Sequence, residues 1–231
     1  MTRSIVAMGG GGFTMGDPIL DRYILGFVDA ARPRVCFLPT GASNVATYVV
    51  RFLDAFPSTS FQPTYVDLFA RSITDLEGFL REQDVIYVGG GNTANTLAIW
   101  RVHGVDRALS AAWRAGVICC GVSAGANCWF EASTTDSYLV GTADPLLDGL
   151  GFLPGAFCPH YDESPRRERF HELVASGALP SGVACDDFAA VRFGDAALVE
   201  GVISKKGAGA YRVTLRSGGV TEERLETRLL S

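Results

Sequence analysis

The sequence has little histidine, modest charge and no long apolar run. No stretch of about 18 apolar residues occurs, so no membrane-spanning helix is expected. Only three histidines occur in 231 residues. With no H-E-x-x-H pattern and no paired C-x-x-C spacing, they do not compose a metal centre, and neither metal nor cofactor is expected. There is no basic surplus: 20 Lys and Arg stand against 25 Asp and Glu, a net charge of −5. A phosphate-binding surface is normally basic, so nucleic acid is not an expected partner. Repeats, low-complexity tracts and linkers are also absent, which points to one domain over residues 1–231. After Arg3, the apolar stretch Ile5–Met8 is too short for a signal-peptide core, and a cytoplasmic location is expected.

What is present is a globular composition, with 48% hydrophobic and 19% charged residues. The six cysteines, at positions 36, 119, 120, 128, 158 and 185, lie mostly in apolar or small-residue runs. They read as buried free thiols of a reducing compartment.

Short apolar runs alternate with helix-like stretches. Strands are expected at Ser4–Met8, Arg34–Leu38, Thr64–Leu68, Val85–Val88 and Val117–Gly121. Helical spacing covers Leu20–Ala31, Tyr48–Phe56, Asp75–Glu82 (capped by Thr74), Asn95–His103, Val105–Ala115 and a start at Ala124–Trp129. This alternation predicts an α/β fold, a mostly parallel sheet with helices on both faces. Beyond it, Val183–Asp186, Ala189–Phe193, Ala197–Val202 and Ala210–Leu215 read as extra antiparallel edge strands near the C-terminus. Thr134–Pro159, rich in Gly, Asp and Pro, reads as a long loop.

The sharpest motif is Gly121-Val122-Ser123-Ala124-Gly125. It fits G-x-S-x-G at a strand-to-helix elbow, which would hold Ser123 strained and exposed at the carboxyl end of the sheet. A nucleophilic serine needs a base. His103 precedes Gly104 at a helix end, and His171 sits in the charged helical stretch Arg166–Val174, where a solvated surface position is expected. His160 follows Pro159 in a strand-to-loop segment and is the candidate base. The base needs an orienting acid. Asp186-Asp187, at a strand end, offers one carboxylate to the site and one facing away, with Asp136, Asp162 and Glu163 as rivals. Gly89-Gly90-Gly91 ends the preceding strand, and an N–H there, of Gly91, could join the N–H of Ala124 as oxyanion donors. Gly9–Gly12 and Gly89–Gly91 both lack the frames that make glycine-rich loops bind phosphate.

Together Ala7–Met15, Tyr87–Thr93, Gly121–Ala126 and Pro159–Asp162 resemble the peptidase E (α-aspartyl dipeptidase) family of serine peptidases, with cyanophycinase a more distant relative. The resemblance runs from about residue 4 to about residue 200. It implies a glutamine-amidotransferase-like α/β fold, Ser123 as nucleophile, His160 as base, and an oxyanion hole from Gly91 and Ala124. The orienting acid stays open between Asp187, at the position of a glutamate in cyanophycinase-like members, and Asp136 after Thr134-Thr135, with Asp186 behind them. By the same resemblance Arg166 or Arg167 would hold the carboxylate of an N-terminal aspartate, a group that a guanidinium fork suits. Gly90 and Asn92 would also line the substrate. The expected activity is acyl transfer on short peptides with an N-terminal aspartate. Release of β-aspartyl or other small acyl groups, or a non-catalytic module for an acidic metabolite, are the alternatives. A small peptide is the expected partner, and the family suggests a homodimer.

Overall fold

The computed structural model describes residues 3–231. The chain opens with β1 (Ser4–Met8), a 3-10 turn (Gly12–Met15), α1 (Pro18–Leu25), β2 (Arg34–Leu38), α2 (Val45–Ala55), β3 (Gln62–Tyr65) and α3 (Leu76–Arg81). It continues through β4 (Val85–Val88), α4 (Thr93–His103), α5 (Val105–Arg114), β5 (Ile118–Val122), α6 (Ala124–Asn127), β6 (Phe130–Thr135), β7 (Asp144–Leu146) and β8 (Leu153–Cys158). It ends with α7 (Arg166–Ala175), β9 (Gly182–Cys185), β10 (Ala189–Gly194), β11 (Ala197–Ile203), β12 (Ala210–Arg216), β13 (Gly219–Arg224) and β14 (Thr227–Leu229).

These strands form two sheets. The first has the order β14-β11-β10-β1-β5-β4-β2-β3. Its β1, β5, β4, β2 and β3 are parallel, and β10 and β11 add antiparallel beside β1. Side-chain alternation shows why both faces are covered. Ile5, Ala7, Ile86, Val88 and Cys119 face the core beneath α3, α4 and α5, while Val6, Met8, Val85, Tyr87, Ile118 and Cys120 face that beneath α1 and α2.

The second sheet has the order β13-β12-β9-β8-β6-β7 and was not expected as a separate layer. Here Val183–Asp186 and Ala210–Leu215 are corrected: β9 and β12 belong to this sheet and not to an edge of the first. Ala189–Phe193 and Ala197–Val202 do lie antiparallel in the first sheet. Hydrophobic alternation marks a strand but not which sheet receives it. The long-loop reading of Thr134–Pro159 is also overturned, since the segment contains the end of β6 and all of β7 and β8. Pro145, Pro154 and Gly155 depress local strand propensity there, and non-local pairing with β6 and β9 overrides it. The two sheets share one core, in which Phe130 stacks on Phe157 and meets Phe193 edge-on.

Helix limits follow their caps. Asp17 accepts the N–H of Ile19 at 3.0 Å and starts α1 early, and Gly26 ends it. Asn44 caps α2, and Asp75, rather than Thr74, caps α3. All six cysteines are buried free thiols. Burial pushes Cys36 and Cys158 up to about 12. Among the described residues, no helix is long and apolar enough to cross a membrane.

One buried carboxyl stands out on the inner face of α1. Asp21 is 5% exposed, and its Oδ1 has no hydrogen-bond partner. Burial pushes its carboxyl up to about 7. The folded chain therefore holds a proton that the unfolded chain releases near pH 4, and this contribution to stability is lost as pH rises to about 7. Asp21→Asn is expected to stabilise the fold at pH 8 by on the order of a few kcal/mol, read as a higher melting temperature. The gain should shrink as pH falls toward 4. Thermal melts across that range check it, and a pH-independent difference would contradict it.

Candidate active site

The carboxyl ends of β1, β4 and β5 meet the ends of β8 and β9. Ser123 follows β5 directly, and its N–H donates to the carbonyl of Met8 at the end of β1. Its backbone lies at φ 54°, ψ −119°, a conformation that costs a residue with a side chain about 1–3 kcal/mol. The elbow is packed so tightly that a Cβ on Gly125 would lie 2.4 Å from the carbonyl oxygen of Val88. That is the physical content of the G-x-S-x-G spacing.

His160 leaves β8 through Pro159, also at positive φ (50°). Its Nε2 lies 2.8 Å from Ser123 Oγ, and its Nδ1 lies 2.6 Å from Asp187 Oδ1. An ionised carboxylate can only accept, so the imidazole proton sits on Nδ1, and Nε2 accepts from the serine hydroxyl. Imidazole and carboxylate are 20% and 16% exposed, shielded but reachable. A hydroxyl, imidazole and carboxylate so linked can strip the serine proton as a new bond forms. Of the three histidines only His160 makes this contact. His103 ends α4 before Gly104, as expected. His171 is no freely solvated group: its Nε2 lies 2.9 Å from both Tyr161 Oη and Glu222 Oε2.

Asp187 is set by the crossing from β9 to β10. It forms a parallel bridge with Gly10, and the next N–H, of Phe188, donates to the carbonyl of Gly10. Its own N–H donates to Asp162 Oδ1 at 2.8 Å, so Asp162 holds the backbone and not the imidazole. Asp186 faces the other way, accepting from Tyr211 Oη at 3.2 Å. Burial is the main cause that raises its carboxyl above the ordinary range. Asp136, the other expected orienting acid, meets Arg166 at 3.4 Å instead. Glu163 brings its carboxylate near, within 4.8 Å of ligand atoms of His160 and Asp187. Such a trio could ligate a cation, but both imidazole nitrogens are already engaged.

The expected oxyanion donors lie beside the serine. Gly90 packs against Ser123, where an added Cβ would lie 3.5 Å from the serine Cβ. The N–H groups of Gly91 and Ala124 donate to no partner among the described residues. Asn92 has partners within the chain: its Oδ1 accepts from Asn95 N–H at 2.8 Å, capping α4, and its Nδ2 donates to the carbonyl of Ser137 at 2.9 Å. Arg167 is also engaged within the chain. Glu222 grips its guanidinium, which lies over the rings of Tyr161 and Tyr211. Arg166 remains, 13% exposed, with long contacts to Asp136 (3.4 Å) and Glu163 (3.9 Å).

Sequence reasoning missed why Gly9–Gly12 matters. A Cβ on Gly10 would lie 2.0 Å from Asp187 Oδ1. The loop leaves room for the carboxylate that faces His160, and only the pairing of β1 with the β9–β10 crossing reveals it. Gly10→Ala is expected to slow reaction of Ser123 with a serine-directed phosphonate by on the order of a hundredfold. Labelling rates beside circular-dichroism melts check it; unchanged labelling of a folded variant would contradict it.

The model of peptidase family S51 matches residues 5–200. The chain is 46% identical over 233 residues to a Bacillus subtilis (strain 168) protein named uncharacterized peptidase YgaJ, with 99% of each chain covered. It is 28% identical over 166 residues to peptidase E of Streptomyces coelicolor (strain ATCC BAA-471 / A3(2) / M145), covering 68% of this chain and 66% of that one. A solved structure of a peptidase from an acI-B1 actinobacterium shares the fold, with TM-score 0.72 at 13% identity over 100% of this chain and 97% of that one. The chain therefore belongs to peptidase family S51.

Proposed function

We propose that the protein is a serine exopeptidase that hydrolyses short peptides with an N-terminal aspartate. The observation that carries this reading is the chain Ser123 Oγ, His160 Nε2, His160 Nδ1, Asp187 Oδ1, closed at 2.8 and 2.6 Å around a strained serine. Ser123 Oγ attacks the scissile carbonyl carbon while His160 Nε2 takes its proton. The carbonyl oxygen becomes an oxyanion facing the N–H groups of Gly91 and Ala124. The intermediate collapses, His160 returns the proton to the leaving amine, and the C–N bond breaks. Water, deprotonated by the same imidazole, then attacks the acyl-enzyme ester and restores Ser123. Asp187 stabilises the imidazolium and fixes its tautomer.

The preference for aspartate rests on the resemblance to peptidase E and on Arg166. Its guanidinium is largely buried, and its distances to Asp136 and Glu163 exceed the 2.7–2.9 Å of a tight charge-assisted bond. A substrate carboxylate can therefore compete for it. Six buried thiols fit a reducing compartment such as the cytoplasm.

The test is an assay on Asp-Leu, Glu-Leu, Asn-Leu and Ala-Leu. Asp-Leu is expected to be cleaved best. Ser123→Ala should lower kcat by on the order of a thousandfold or more with the fold intact. Full turnover in that variant would sink the mechanism, and equal cleavage of Ala-Leu would sink the specificity. The two acids provide a further check. Asp187→Asn is expected to lower kcat by on the order of 10³–10⁴, the loss typical of a displaced tautomer. Asp136→Asn should change kcat by less than about tenfold. The reverse ranking would reassign the orienting role.

A further inference from the structure

A cavity of about 350 Å³ opens directly beside Gly90 and Gly91, walled by Thr14, Ser43, Thr47, Tyr48 and Arg51. None of the residues around it carries a carboxylate, and Arg51 is the only one that carries a charge. The guanidinium of Arg51 makes no hydrogen bond or ion pair among the described residues. The cavity also lies at the amino end of the eleven-residue α2, the positive end of that helix.

Tyr48 gives the cavity its direction. Its Oη accepts the N–H of Gly90 at 3.0 Å. A phenol has one proton to give, and that proton finds no acceptor among the described residues. Burial pushes the phenol up to about 12, so it stays a donor. The charged groups near it are Arg51, from its own helix, and Asp21, from α1. Gly90 joins this hydroxyl to the serine, because a Cβ added to it would lie 3.5 Å from the Ser123 Cβ and 3.9 Å from Tyr48 Oη. An unused hydroxyl proton, an unpaired guanidinium and a helix amino end thus border one cavity, whose wall includes the glycine that packs against the nucleophile. All three favour a negative charge, and the volume suits a single amino-acid side chain or terminus.

The geometry points to this cavity as a second carboxylate subsite of the enzyme, in which Arg51 and the Tyr48 hydroxyl bind a carboxylate of the substrate peptide. The inference rests on the reading of Ser123 as nucleophile. The carboxylate is either the side chain of the acyl residue or the C-terminus of the leaving residue, and the two sources differ in what they make the enzyme discriminate.

The experiment compares wild type, Arg51→Ala, Arg51→Lys and Tyr48→Phe on Asp-Leu, Asp-Leu amide and Asn-Leu. Arg51→Ala is expected to raise KM for Asp-Leu about ten- to a hundredfold with kcat little changed, the loss of one charge-assisted contact. Arg51→Lys should recover part of that loss, and Tyr48→Phe should show a smaller one. If the leaving residue's terminus binds there, Arg51→Ala erases the preference for Asp-Leu over its amide and keeps the preference for Asp over Asn. If the acyl side chain binds there, the pattern reverses. Both preferences unchanged in a folded Arg51→Ala overturn the subsite, while inactive Ser123→Ala leaves the serine mechanism standing. Should no dipeptide be cleaved, calorimetric titration with acetyl-leucine and with aspartic acid α-amide still decides. Binding of either probe to wild type, lost in Arg51→Ala, supports the subsite. Equal binding to both proteins, or none, overturns it.

Discussion

The site depends on one backbone contact between two sheets. The chain leaves β9 in the second sheet, crosses, and enters β10 in the first. At the crossing Asp187 bridges Gly10 at the end of β1, while Ser123 bonds to Met8 one strand away. His160 comes from β8, the parallel neighbour of β9. Serine and imidazole therefore belong to different sheets, and the carboxylate sits where those sheets interlock. Their 2.6 and 2.8 Å distances are a property of the packing between layers, not of any single element.

Much of the first sheet was legible because its information is local. β1 (Ser4–Met8), β2 (Arg34–Leu38) and β4 (Val85–Val88) show as apolar runs stopped by glycine or proline, and the limits match. The elbow was legible for the same reason, since five consecutive residues encode its strain. The second sheet was not. Its strands carry Pro145, Pro154 and Gly155, and their partners lie far away in sequence. Propensity there argues for a loop, and only the burial gained by pairing overrules it.

The site divides along the same line. Ser123 and His160 could be named from short segments. The choice between Asp187 and Asp136 could not, because it turns on which strand end approaches His160 in space. Alternation did foretell that Asp186 and Asp187 would face opposite ways, and they do. Asn92 and Arg167 already have partners within the chain, because capping and ion pairing satisfy polar side chains without a ligand. A sequence shows that a donor exists, not whether it is already occupied.

The cluster around Glu222 has a reach that its position conceals. Burial pushes this carboxyl up, but hydrogen bonds from Tyr161, Arg167 and His171 outweigh it and hold the group below its ordinary range. Tyr161 is the residue next to His160. The hairpin of β12 and β13 thus works as a clasp: it fastens α7 and the loop bearing the imidazole from outside the 5–200 span that the family model matches. A chain ending at residue 200 would keep every group of the site and lose the fastening that holds one of them still.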